Sequence, residues 1–148
     1  MPRSTRSFLF PDTNVWVALT YEGHVHHVRS RNWLASVPTS ARLFFCRITQ
    51  LGLLRLLSSE AVMKTDMMNQ EDAWKAYDRW FEDDRIGFAD EAAGLDPIFR
   101  SLSGSRLAAP TDWADSYLAA FAIASQLSLV TFDRALQRKA RQALLLNP

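Results

Sequence analysis

With 148 residues, 48% of them apolar and 22% charged, the chain has the makings of one soluble globular domain over residues 1–148, long enough to bury a core without disulfides or a structural metal. Its single cysteine, Cys46, excludes an internal disulfide and a multi-cysteine zinc site, and a net charge of +1 confines any nucleic-acid surface to a local patch. The basic opening Met1-Pro2-Arg3-Ser4-Thr5-Arg6 precedes an apolar run too short for a signal-peptide core, and no segment has the length of a bilayer span, so a cytoplasmic protein without a membrane partner is expected.

Phe8-Leu9-Phe10-Pro11 reads as a short strand buried on both faces, with Pro11 ending its ladder and Asp12 standing at the carboxyl end. Val15, Trp16 and Leu19 then fall at helical spacing, and Gly23 closes that helix. A second helix is expected over about His24 to Val37, with Val25, Val28, Trp33, Leu34 and Val37 on one apolar face and Pro38 as the stop. Arg42 to Cys46 reads as a second buried strand. The following helix, about Thr49 to Leu57, is so apolar that packing on nearly all sides is expected.

Residues 58–68 read as a looser connection, and Asn69 to Asp84 as an amphipathic helix turning Trp74, Tyr77, Trp80 and Phe81 inward. A short strand over Arg85 to Ala89 and a brief helix around Ile98, Phe99 and Leu102 come next. Pro110-Thr111-Asp112 is a helix-start signal for a nearly all-apolar, small-residue helix running to Gln126. Leu127 to Phe132 forms a strand that stops at Asp133, a last helix starts near Arg134, and Leu144 to Leu146 adds an edge strand. Strands alternating with helices in this way predict an α/β fold, a three-layer α/β/α sandwich on a mostly parallel sheet.

The chemistry lies in three carboxylates. Working residues of open α/β sheets sit at the carboxyl ends of strands, where both Asp12 and Asp133 stand. Asp115 sits in the first turn of its helix at the mouth of a core-facing stripe, where the helix N-terminus favours its ionised form. Two of them have a plainer reading: Asp12 can simply cap a helix, and Asp112 with Asp115 resembles a capping box. Three converging carboxylates repel one another unless a cation lies between them, and hard oxygen donors suit Mg²⁺ or Mn²⁺. Such an ion can generate hydroxide and orient a phosphate, which points to a phosphodiester substrate.

Four ordered stretches then carry a resemblance: Pro11-Asp12-Thr13-Asn14-Val15-Trp16, Ile48 to Leu57, Trp113-Ala114-Asp115-Ser116-Tyr117-Leu118-Ala119-Ala120-Phe121-Ala122, and Val130-Thr131-Phe132-Asp133-Arg134. Together they look like the PIN-domain proteins of the VapC toxin family, over nearly the whole chain. The resemblance implies a PIN-like fold and a Mg²⁺- or Mn²⁺-dependent ribonuclease that is toxic by RNA cleavage. It further implies a small VapB-type antitoxin as partner and a homodimer. It maps Asp12 and Asp115 onto the metal-binding aspartates, Asp133 onto a further active-site acid, and Asn14 and Thr131 onto flanking polar positions that orient them. One position departs from the pattern. Where the family commonly carries an acid on the helix after the second strand, this chain has Gly52, with Gln50 the nearest polar alternative and Asp112 a possible substitute from another element.

Two other readings stand beside this one. An aspartate-nucleophile phosphatase would use Asp12, but its second acid falls at Asn14. A catalytically weak module that binds RNA or antitoxin is motivated by Gly52. His24, His26 and His27 lack the spacing of a helical ligand pair and read as a solvated or RNA-facing helix start. Arg29, Arg31, Arg134, Arg138, Lys139 and Arg141 are candidates for phosphate contact or simply a solvated face.

Overall fold

The structure, a computed structural model, describes residues 7–140 and 142–147, so the expectations placed on residues 1–6 and on Arg141 lie outside it. The chain order is β1 (Phe8–Pro11), α1 (Thr13–Thr20), α2 (His27–Ser36), β2 (Arg42–Phe45), α3 (Arg47–Leu57), α4 (Glu60–Met63), α5 (Gln70–Trp80), β3 (Ile86–Phe88), α6 (Leu95–Leu102), α7 (Trp113–Ser125), β4 (Ser128–Thr131), α8 (Arg134–Lys139) and β5 (Leu144–Leu145). The five strands form one sheet in the order β3-β2-β1-β4-β5, and all four pairings are parallel.

Alternation along the strands divides the core in two. Leu9, Leu43, Phe45 and Val130 pack with α1, α2, α3 and α5, while Phe10, Phe44 and Leu129 face α6, α7 and α8. The result is the expected three-layer sandwich. On one face Trp16 stacks on Phe45 with ring centroids 3.8 Å apart, and on the other Phe10 stacks on Phe121 at 4.9 Å. Ala119, Ala120 and Ala122 are buried in α7, where their small side chains suit close approach to the sheet. Among the described residues no helix is long and apolar enough to cross a membrane.

The chain turns one way from β1 through β2 to β3 and the other way to β4 and β5, so the strand order reverses between β1 and β4. A crevice forms outside the carboxyl ends of the strands at such a reversal.

Several expectations fail in instructive ways. Pro11 does not end the ladder: it is the last residue of β1, and the next N–H, that of Asp12, still donates to the Val130 carbonyl at 2.9 Å. By alternation the Pro11 nitrogen faces β2, beyond the last paired residues on that side, so its missing N–H goes unnoticed. Helix α2 starts three residues later than expected, because His24 to His26 form a turn in which the His26 N–H donates to His24 Nδ1 at 3.0 Å. Val25 (86% exposed) and Val28 therefore point outward, and Ser30 and Leu34 form the buried stripe.

Helix α3 is not packed on all sides. Thr49, Gln50, Leu53 and Leu57 are buried, but Leu51 is 53% exposed, and Trp74 on neighbouring α5, expected inward, is 45% exposed. The connection over 58–68 is less loose than its composition implies. It holds α4 and a 3₁₀ turn, Lys64–Asp66, anchored by buried Met63.

Candidate active site

Asp12 caps α1: its Oδ1 accepts the Val15 N–H at 3.0 Å. The plain capping role and a chemical one are compatible, since Oδ2 accepts a second hydrogen bond, 2.5 Å long, from the Thr131 hydroxyl. Only 5% of Asp12 is exposed. Burial pushes its carboxyl up to about 6, against the opposing pull of the Thr131 and Val15 hydrogen bonds and with help from the charges of Asp133 and Asp115.

Thr131, at the end of β4 and fully buried, joins two of the acids. Its Oγ1 donates to Asp12 and accepts the Asp133 N–H at 3.0 Å. Asp133 in turn caps α8 through Oδ1, which accepts from Ala135 N at 2.8 Å and Leu136 N at 3.4 Å, and the residue is exposed. Neighbouring strands, one threonine and two helix caps thus fix two carboxylates at the reversal between β1 and β4.

Asp115 arrives from α7, half-buried, with no hydrogen bond to its carboxylate among the described residues. Its helix N-terminus was expected to hold it ionised. Instead its pKa is raised, by burial first and then by Asp133 and Asp112, with Lys139 pulling the other way. The capping box is absent. Asp112 has helical backbone angles and caps nothing; its carboxylate takes Lys139 Nζ at 2.9 Å and the Ser116 hydroxyl at 3.1 Å. Lys139 first, then Ser116, holds Asp112 below the usual carboxylate range.

The other supporting residues scatter. Asn14 is exposed in the first turn of α1 with no side-chain hydrogen bond among the described residues. Gln50 is buried at 6% exposure, and its Oε1 accepts from the Arg47 guanidinium at 2.5 Å. Gly52 is a point of close approach. A Cβ there would lie 2.6 Å from Cγ2 and 2.7 Å from Oγ1 of Thr13, so the side chain after Asp12 fills the space in front of α3.

Among the histidines, His26 stacks on Phe132 at 4.6 Å, beside Asp133, and His27 Nδ1 lies 2.7 Å from the Ala18 carbonyl oxygen. Arg29 hydrogen-bonds the Asn147 carbonyl, Arg31 lies over Trp80, and Arg134 and Arg138 are exposed on α8.

Two residues had a signal in the sequence that the search for acids passed over. Arg47 is the first charged residue after β2, as Asp12 is after β1. Ser116, next to Asp115, ties the Asp112–Lys139 pair to α7 by accepting from Lys139 at 3.2 Å.

The donor set bears on what cation it could hold. Among the described residues no three Asp, Glu, His or Cys side chains close around one point. Asp12 has lone pairs left after its two hydrogen bonds, and Asp115 has all of its own. Two carboxylates of this kind, raised in pKa by burial and by the charges of neighbouring aspartates, fit a hard divalent cation whose remaining positions are filled by water and substrate, the manner in which Mg²⁺ is usually held.

The PIN domain model matches residues 9–142. The chain is 42% identical over 131 residues to ribonuclease VapC41 of Mycobacterium tuberculosis, covering 86% of this chain and 90% of the relative. Among solved structures, the fold resembles that in the VapBC2 complex of Rickettsia felis bound to a promoter DNA fragment, with TM-score 0.66, 17% identity and coverage of 93% and 96%. It also resembles VapC20 of Mycobacterium tuberculosis, a sarcin-ricin loop cleaving toxin, with TM-score 0.65, 14% identity and coverage of 96% and 100%. With its acids set at the strand reversal and the match running through every strand but the last, the chain belongs to the VapC toxins of the PIN-domain family.

Proposed function

We propose that this protein is an endoribonuclease, the toxin of a type II toxin–antitoxin pair, cutting RNA phosphodiester bonds with the help of Mg²⁺ or Mn²⁺ and held inactive by a VapB-type antitoxin. The observation that carries the reading is the buried Asp12 carboxylate, tied through Thr131 to Asp133 and left with Asp115 as an unpaired neighbour. In this reading Asp12 and Asp115 hold the cation. The ion supplies Lewis-acid stabilisation of the phosphate and a more acidic bound water. Thr131 keeps Asp12 oriented by its hydroxyl, and Asp133, exposed at the rim, accepts a hydrogen bond from the attacking water. The carboxylates act in their ionised form, so activity rises with pH through the raised pKa values of Asp12 and Asp115. A homodimer is the proposed assembly.

Purified, antitoxin-free protein incubated with structured RNAs in Mg²⁺, Mn²⁺ or EDTA, beside Asp12→Asn and Asp115→Asn, tests the proposal. Cleavage that needs the metal and both aspartates is expected; cleavage by both variants at the wild-type rate would falsify the assignment. The Thr13–Gly52 contact favours one second reading, a weak nuclease that acts mainly by binding, because no carboxylate can occupy that position without displacing Thr13. RNA or antitoxin binding with an intact fold and no metal-stimulated cleavage would select it.

A further inference from the structure

Around the crevice, Asp12, Asp115, Asp133 and Asp112 crowd negative charge at the place an RNA strand, itself a polyanion, has to reach. Lys139, a cation beside these acids, is already bonded to Asp112 and Ser116. The cation proposed above would offset part of that charge, and fixed positive charge flanking the acids would steer the rest of the strand.

Arg47 supplies it. Leu9 pairs with Leu43, and the same register extended past the strands sets Asp12 level with Cys46 and Arg47 one residue further. Adjacent strands run about 4.8 Å apart, so the Arg47 backbone starts beside that of Asp12 on the β2 side of the crevice. The side chain is exposed, yet held at two points: Nη1 donates to Gln50 Oε1 at 2.5 Å, and the guanidinium lies 5.0 Å from the centroid of Phe88, the last residue of β3. Gln50 is itself buried, at 6% exposure, on α3. Among the described residues Arg47 makes no ion pair.

A solvated surface arginine has neither a buried amide nor an aromatic face to fix its plane. A guanidinium that has both, with its other N–H groups free, is arranged to receive a planar or tetrahedral oxyanion. We propose that Arg47 docks an RNA backbone phosphate next to the scissile one, on the β2–β3 side of the acids, with Gln50 as its positioning residue. The inference rests on the ribonuclease reading above and adds the path of the strand: across the carboxyl edge of the sheet, from the acids at β1 and β4 toward β3.

The test reads binding and cleavage separately. The affinity of a fluorescent 12-nucleotide single-stranded RNA of random sequence is measured in EDTA across a salt series for wild type, Arg47→Ala, Arg47→Lys, Gln50→Met and Arg55→Ala, the last a control on the outer part of α3. Loss of one phosphate contact lowers the slope of log K against log salt by about 0.7. That drop is expected for Arg47→Ala, with a smaller one for Gln50→Met and a slope near wild type for Arg47→Lys and Arg55→Ala. In cleavage, Arg47→Ala is expected to raise KM about tenfold with a smaller change in kcat, and millimolar guanidinium to restore part of the loss.

Unchanged slope and KM in Arg47→Ala, beside an inactive Asp12→Asn, would overturn the inference and leave the nuclease reading standing. An equal loss in Arg55→Ala would also overturn it, because the effect would then be one of net charge. Wild-type cleavage by Asp12→Asn instead sinks the reading of the acids, whatever Arg47 does. A melting temperature within about 2 °C of wild type for each variant excludes misfolding as the cause of a lost contact.

Discussion

The two edges of the sheet are built from the same side chains to opposite ends. At the amino edge, just before β3, Arg85 pairs with Asp83 at 2.7 Å and donates to the Leu34 and Val37 carbonyls at 3.1 and 2.8 Å, tying the end of α2 to the sheet. Hydrogen bonds from Arg85 hold Asp83 below its ordinary range. At the carboxyl edge, Asp12 is raised by burial and by the charges of Asp133 and Asp115, Asp115 by burial and by Asp133 and Asp112, and among the described residues no arginine forms an ion pair with either. Where charge is matched within the chain the residue holds the fold together; where it is left unmatched, a ligand from outside has to complete it.

The sharpest way to break this contrast is Asp12→Asn. RNA cleavage per folded molecule should fall on the order of 1,000-fold, as befits loss of a group that organises transition-state charge. The same carboxyl gives stability an unusual pH dependence. Its folded pKa of about 6 stands above the ordinary aspartate value of 3.8, so its contribution is fully present below pH 3.8 and is lost as pH rises through 6, by about 3 kcal/mol. Chemical denaturation in EDTA should show wild type weakening across that window and Asp12→Asn staying flatter. Mg²⁺ at neutral pH should recover part of the loss in wild type alone.

Arg85→Ala tests the matched edge. It leaves two backbone carbonyls and Asp83 without their partner, so a loss of about 2 kcal/mol and a melting temperature several degrees lower are expected, with cleavage at permissive temperature unchanged. A cleavage defect larger than the folding defect would place Arg85 in the wrong half of the comparison.

Much of the carboxyl edge was legible because strand ends announce themselves. The apolar runs before Asp12 and Asp133 and the helix-start signal before Asp115 place the acids at element ends, and the structure sets those ends at β1, β4 and α7. What sequence could not show was direction. The composition of α3 overstated its burial, because apolarity reports how much of a helix can be buried and not which neighbours exist to bury it: with α1, α4 and α5 packed against it, Leu51 still stays out. Gln50, read as the nearest polar alternative at the missing acid's position, is bonded to Arg47. Asp112, the possible substitute acid, was tied down by Lys139 from 27 residues away, a long-range pairing that no local pattern encodes.

Gly52 sharpens the view of how tightly the site is backed. In a helix interior, alanine is favoured over glycine by about 1 kcal/mol, so Gly52→Ala should stabilise the chain if space allows. The 2.6 Å approach to Thr13 Cγ2 does not allow it, and overpacking of this kind costs about 1–3 kcal/mol. A net loss of stability is expected from denaturant unfolding, relieved in the double variant Thr13→Ala/Gly52→Ala. If Gly52→Ala alone were stabilising, α1 and α3 would have to be free to move apart, and Asp12, which caps α1, would be less firmly placed than its hydrogen bonds indicate.

The smallest effect belongs to Lys139, the one place where the carboxyl edge borrows the habit of the other. Lys139→Met removes a cation that bonds Asp112 at 2.9 Å and pulls the pKa of Asp115 downward from across the helix pair. Without it Asp115 gives up its proton less readily. Because the ionised acids are the active form, the rising limb of the pH–rate profile should move to higher pH, while the rate on the alkaline plateau stays close to wild type and Lys139→Arg restores the original limb. The lysine acts partly through solvent, so the gap between variant and wild-type profiles should narrow as salt is raised. An unmoved limb would mean that the charge of Lys139 is spent on Asp112 alone, and that Asp115 feels only the other carboxylates of the crevice.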